Sequence, residues 1–282
     1  MMKGRFLWGM LLLFASQGFG QKADSLQSPW QSKAVGSLNL TQVTFDNWTQ
    51  GGENAFSWQL LLDTQFAYKR SRLSWTISGK FSFGKTRLGQ SEFRKSVDEI
   101  RLESVLKYSA AKSLNPFFAL TGLTQFAPAY DYAAEGAPQI SAFLDPGYFT
   151  QSLGLSLSPM EGFKARVGLA MKETVTRNHP APYADDPATP EVEKTRTEVG
   201  MDAVADLSRK LSKAILLTSK LQLFSNLKGI DEVDVFWDNL FSAQVAKYIN
   251  VNWNFRLVYD RNVSKKRQIN QSLSIGLTYT FL

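Results

Sequence analysis

Cysteine is absent from the 282 residues, so the chain forms no disulfide, offers no thiolate to a metal and carries no cysteine to be lipidated. Histidine is nearly absent. The single one, His179 in Asn178-His179-Pro180-Ala181-Pro182, stands among loop-forming residues, where a histidine is far more often solvated than a general base. No G-x-S-x-G motif occurs, and lipid hydrolysis, which needs a serine beside a base, finds little support. Long apolar runs are missing too. Mean hydropathy is −0.20, which excludes a bundle of membrane helices, and the apolar run Phe6 to Phe14 is shorter than the ~20 residues such a helix needs. A transmembrane barrel survives this exclusion, because its segments are about 9 to 11 residues long and half of each faces a lumen. Dense blocks of one charge are also lacking: the net charge of +7 is spread along the chain, which gives no footprint for nucleic acid. The carboxylate groups Asp185-Asp186, Glu191 with Glu193, and Asp231-Glu232 with Asp234 lack the ligand order of an EF-hand and read as solvated charge. Neither a metal nor another cofactor is expected.

What is present is alternation. In residues 269 to 282 the odd positions Ile269, Leu273, Ile275, Leu277, Tyr279 and Phe281 are apolar or aromatic, while Asn270, Ser272, Ser274, Gly276, Thr278 and Thr280 separate them. A period of two marks a strand with one apolar and one polar face. The same pattern runs through Phe56 to Tyr68 and, after Arg70-Ser71, through Leu73 to Phe83, which predicts a hairpin with aromatics near both ends of its apolar face. A first strand is expected at 36 to 45, with Leu38 and Leu40 on one face and Val43 and Phe45 on the other, a phase change that suggests a bulge. Further runs bring the count to about twelve. Residues 92–113 and 191–216 are rich in Glu, Lys, Ala and Leu, so propensity favours helix there, whereas alternation and placement favour strand. Connections near 70–71, 109–115, 158–162, 208–213 and 247–250 are short. They alternate with longer ones near 46–54, 85–97, 127–147, 176–195, 225–234 and 262–267, the build of an up-and-down transmembrane antiparallel β-barrel with tight turns on one side of the membrane and loops on the other.

Ser274-x-Gly276-x-x-Tyr279-x-Phe281 resembles the C-terminal closing signal of bacterial outer-membrane barrels, with Leu282 as one extra residue. Gly276, Tyr279 and Phe281 are therefore candidates for a membrane-insertion signal, read by a barrel assembly machinery. Asn47-Trp48-x-x-Gly51-Gly52-x-Asn54, preceded by Trp30 and followed by a long aromatic-rich strand, is similar to the opening of the uncharacterised DUF3078 family of exported Bacteroidota proteins. That resemblance implies an outer-membrane barrel of unknown activity. Lys3 and Arg5, the run Phe6 to Phe14 and Gly18-Phe19-Gly20 read as a secretory signal over residues 1–20. A polar periplasmic leader is expected over 21–35 and the barrel over 36–282, with both termini periplasmic.

With the apolar face on lipid, the other face lines a lumen. It carries Asp63, Lys80, Arg101, Glu103, Lys107, Arg166, Lys172, Glu198, Asp202, Lys220, Asp238 and Arg256. These charges form either a constriction that selects a small polar solute or a paired network that plugs the barrel. The loop aromatics Tyr130, Tyr132, Phe143, Tyr148 and Tyr183 suit either a stacking platform for a ligand or loop-on-loop packing. Lys85, Arg87, Arg94, Lys95, Lys265, Lys266 and Arg267 are placed to meet lipopolysaccharide phosphates. Alternation alone also allows a soluble barrel with its apolar face inward.

Overall fold

The computed structural model describes residues 28–45, 52–111, 114–227 and 229–282, apart from the side chains of 230–232. The expected signal segment, residues 21–27 of the leader, and Asn47, Trp48 and Gly51 lie outside the described residues. The strands are β1 (Trp30–Val43), β2 (Ala55–Arg70), β3 (Leu73–Leu88), β4 (Arg94–Tyr108), β5 (Leu114–Thr124), β6 (Ala129–Tyr130), β7 (Gln139–Ser141), β8 (Gly147–Met160), β9 (Phe163–Val175), β10 (Thr195–Lys210), β11 (Ile215–Asn226), β12 (Gly229–Gln244), β13 (Ile249–Tyr259) and β14 (Gln268–Thr280). Twelve of them close a barrel in the order β1-β14-β13-β12-β11-β10-β9-β8-β5-β4-β3-β2, while β6 and β7 form a small hairpin of their own. Among the described residues there is no helix.

The barrel is inside-out relative to a water-soluble one. Leu60, Leu102, Leu153, Leu169, Leu273 and Ile275 stand exposed on the outer face, whereas Asn39, Ser82, Glu99, Arg101, Asp202 and Asn252 are buried. A continuous apolar exterior of this kind is stable against lipid and costly against water, which overturns the alternative of an inward apolar face. Aromatics mark both rims. Trp30 lies 5.1 Å from Tyr68 and 6.0 Å from Trp75 at the short-turn end, and Phe83 lies 5.9 Å from Trp58 and 5.7 Å from Phe126 at the other.

The two ambiguous segments are strands. β4 and β10 are each hydrogen-bonded on both sides, so ladder pairing outweighs their helix propensity. Three expectations are corrected. β1 begins at Trp30 rather than 36, because Trp30 to Ala34 pair with Tyr68 to Thr64 despite their polar outline. It carries no bulge either: its register against β2 is unbroken to Val43↔Ala55, and Val43 changes phase only at the mouth. Finally, the connections expected near 85–97 and 225–234 shrink to residues 89–93 and 227–228. The charges read there as loop belong to strands, with Asp234 inside β12.

Closure rests on β1 and β14, paired from Val35↔Thr280 to Leu40↔Ile275 and extended by the Phe281 N–H, which donates to Ala34 O at 2.8 Å. The Phe281 ring covers Gly36, where an added Cβ would lie 2.8 Å from it. Inside, Asn252 Nδ2 donates to Asn39 Oδ1 at 3.1 Å. This bond crosses directly over Gly276, where a Cβ would sit 2.6 Å from Asn252 Nδ2. Replacing Tyr279 and Phe281 together by alanine is expected to lower the yield of heat-modifiable folded barrel while leaving the properties of the folded fraction unchanged, as a gel-shift assay of membrane-inserted protein would register.

Candidate functional site

Every lumen charge named from the sequence, Asp63, Lys80, Arg101, Glu103, Lys107, Arg166, Lys172, Glu198, Asp202, Lys220, Asp238 and Arg256, sits on the inward phase of its strand. Long side chains reach across the interior and meet in three tiers, ordered by position along the strands.

The tier nearest the short turns is built on Glu103 of β4. Its carboxylate accepts from Arg166 of β9 and from Lys220 of β11, the latter at 2.8 Å, and Lys220 also approaches Asp206 at 3.5 Å. Asp202 of β10 accepts from Gln222 at 3.4 Å.

The middle tier joins opposite walls. Lys80 of β3 donates to Asp238 of β12 at 2.7 Å. Arg256 of β13 bridges Asp238 at 2.9 Å and Glu99 of β4 at 2.7 Å, and Arg101 stands 3.5 Å from Glu99. The Arg101 guanidinium also lies 4.3 Å from the ring centroid of Phe236. Phe236 is on β12, which is six strands from β4 in either direction around the barrel. The middle of the lumen is therefore crossed by a cation–π contact and ion pairs rather than left open at its full width. Arg101 Nη2, Arg166 Nε and Arg256 Nε find no acceptor among the described residues.

The tier nearest the long loops surrounds one lysine with three carboxylates. Lys172 of β9 is 2.7 Å from Asp234, 3.1 Å from Asp260 and 3.8 Å from Glu198, and its ammonium lies 5.4 Å from the Phe224 ring centroid. Glu99, Asp234, Asp260, Gln222 and Phe236 escaped the sequence reading as site residues. The alternation Glu99-Ile100-Arg101-Leu102-Glu103 would have given Glu99, but Asp234 was read as a loop charge and Asp260 stands just past β13, beyond the strand period.

Two long connections, 125–146 and 176–194, fold onto each other above this end. The Asp145 carboxylate accepts the backbone N–H groups of Arg177 and Asn178 at 2.8 Å each and of His179 at 3.3 Å. Burial by itself pushes this carboxyl up, but the three N–H donors outweigh it and hold it below the usual carboxylate range. A group with a depressed folded-state pKa contributes stability above its unfolded value and loses it as pH falls through the folded one. The loop clasp is thus expected to be firm at neutral pH and to loosen only in acid. Amide exchange at residues 177–179, corrected for its intrinsic pH dependence, should speed up in acid and, at neutral pH, in Asp145→Ala.

His179 itself stands 3.1 Å from Gln139, nitrogen to nitrogen. Asp185 and Glu193 serve loop hydrogen bonds: Asp185 accepts the Glu193 N–H, and Glu193 accepts from Asp186 N–H and Thr189. Among the described residues no group of three potential ligands is arranged for a metal ion. The loop aromatics do not share one platform: Tyr130 and Tyr132 pair at 6.1 Å, Arg94 stacks on Tyr132, and Tyr148 belongs to the inner wall of β8. Lys95 is a correction to the lipid-phosphate set, since it is spent on Asp98, Gln125 and the Ala127 carbonyl. Of the DUF3078-like motif, Asn54 accepts the Phe45 N–H at 2.6 Å and Gly52 adopts φ +139°.

Residues 40–130 match the family model described as a protein of unknown function, DUF3078, in agreement with the resemblance carried by the Asn47 to Asn54 motif. No curated protein matches the chain. Among solved structures, the chain is similar to the translocator domain of the autotransporter NalP from Neisseria meningitidis at 14% identity, covering 88% of this chain and 86% of that one with a TM-score of 0.36. It is also similar to an outer membrane channel from Pseudomonas putida F1 at 11% identity, 94% and 100% coverage and a TM-score of 0.44. A third similarity is to the NanC porin at 7% identity, 89% and 100% coverage and a TM-score of 0.42.

Proposed function

We propose that this barrel, with the DUF3078 match across its first strands, lies in the outer membrane of a Gram-negative cell with both termini in the periplasm. There it provides a narrow, charge-lined passage or binding path for a small polar solute, with no catalysis of its own. One observation carries the reading: apolar side chains cover the exterior while charged ones converge inside, as at Leu102 beside Arg101 and Glu103. A burial pattern that costs free energy in water becomes favourable in lipid. Mixed charge at close quarters suits selection by charge. Lys85, Arg87, Arg94, Lys265, Lys266 and Arg267 suit contact with lipopolysaccharide phosphates. Gly276, Tyr279 and Phe281 suit handling by the assembly machinery.

The contact of β4 with β12 across the lumen favours a second reading, a barrel whose lumen is closed. Planar-bilayer recording separates the two. Small, ion-selective current steps support the passage; silence from protein shown by heat-modifiable migration to be folded sinks it and supports closure. Recovery in a detergent-free periplasmic extract would refute the membrane location.

A further inference from the structure

The barrel is not sealed evenly. The β1–β14 ladder stops at Leu40↔Ile275, and the next link is a side chain, Thr41 Oγ1 donating to Leu273 O at 3.2 Å. Beyond it, among the described residues, Gln268 to Ser274 pair with β13 only. Exposure follows the pairing. Asn270 and Ser272 lie opposite the inward-facing Arg256 and Asn254, yet they are exposed, as are Ile269 and Leu273 on the lipid side. On neighbouring β13 the inward Asn252 and Asn254 are buried and half-buried.

From Phe281 to Ile275 the strand climbs about 15 Å, at roughly 3.3 Å per residue and a tilt of about 40°. That is a little over half of an apolar band about 25 Å tall. The paired part therefore seals the periplasmic half, and the unpaired part reaches the outer leaflet. This depth rests on the outer-membrane reading above. Unpaired strand edges are costly in hydrocarbon and are satisfied by whatever can hydrogen-bond to them.

The slot has two chemistries. Its outer lip is Leu40, Ile269, Leu273 and Ile275, and its inner lip is Asn39, Gln59, Asn270, Ser272 and Ser274. Between them run the backbones of Thr41 to Val43 and of Ser272 to Ser274, which form no ladder with each other among the described residues. We propose that the β1–β14 seam is a lateral site for a single-chain amphiphile, whose polar head meets the lumen side of the slot while its chain stays in the outer leaflet.

The test uses the full-length barrel in liposomes with NBD-labelled lysophosphatidylcholine as probe, and exploits the absence of native cysteine. Ser272→Cys is modified with fluorescein maleimide to fill the slot, with Ser91→Cys, in the connection between β3 and β4, as the modified control. Saturable quenching of the barrel's tryptophan emission by the NBD group is expected in the unmodified protein, to be lost on modification at 272, and to persist on modification at 91. Quenching that survives the 272 adduct overturns the proposal. So does ion current from the unmodified barrel without saturable quenching, an outcome that leaves the passage reading standing. Saturable quenching without ion current supports the seam and sinks the passage. Cross-linking of Ser272→Cys to another polypeptide in native membranes, with no saturable quenching, overturns the lateral site in favour of a docked strand.

Discussion

Asp238→Ala is expected to destabilise the barrel by about 3–5 kcal/mol, because it takes from Lys80 its one close carboxylate and leaves Arg256 with Glu99 alone. The Asn254 amide loses one of its two acceptors as well. Removing a cation together with the anion should cost less, since fewer charges are then stranded. The double variant Asp238→Ala with Arg256→Ala is therefore expected to be more stable than Asp238→Ala alone. It also deletes two of the links between opposite walls, so its conductance should rise several-fold over the unaltered protein. Urea unfolding followed by tryptophan fluorescence measures the first difference and single-channel recording the second. A double variant no more stable than the single one would mean that the middle tier is not a coupled unit. Unchanged current would mean that it does not limit the passage.

Gly276→Val is expected to be the most damaging change at the closing strand. Its side chain would occupy the space in which Asn252 reaches Asn39. Overpacking costs about 1–3 kcal/mol, and parting the two amides in a buried place adds about 1–3 kcal/mol. Folded, heat-modifiable protein should largely disappear. The cause is checked by rescue: Gly276→Ala combined with Asn39→Ala relieves the crowding and should recover more folded barrel than Gly276→Ala alone. Failure of that rescue would assign the glycine's importance to recognition during assembly instead of to the bond above it.

The architecture was legible because outer and inner faces alternate with a period of two, as in Trp58-Gln59-Leu60 and Phe81-Ser82-Phe83. That Lys80, Arg101, Arg166, Asp238 and Arg256 share one face was legible for the same reason; that this face is the inner one was not, since the same alternation fits a barrel with its apolar face inward. Their partners could not be read. Which charge meets which depends on the curvature of the closed sheet, and nothing local to Lys80 points to a residue 158 positions away. Glu99 was obscured by a stretch whose composition suits a helix. Asp234 looked like a solvated loop charge until β12 was seen to run on to the mouth, and Asp260 stands just past the end of β13, where no strand period reaches it. The start of β1 was hidden because Gln31 to Ala34 show no apolar period; their place comes from the backbone of β2. Gly276 was read as part of a signal, and its role beneath the Asn39–Asn252 bond depends on three strands brought together only by closure.

The tiers of the lumen also set a folding order. Lys80 finds Asp238, Asn39 finds Asn252 and Ser37 finds Thr278 across separations of 158, 213 and 241 residues. Contacts this distant in sequence form late, after most of the loop-closure entropy has been spent. Until β12 and β13 arrive, Lys80, Glu99 and Arg101 lack their partners from the far wall. Residues 40–130, the span of the family match, hold the end of β1 and all of β2 through β6, a sheet whose inner charges are completed by later strands, from Arg166 on β9 to Arg256 on β13. They are a recognisable sequence unit that is expected, on the same loop-closure argument, not to fold independently of the later strands.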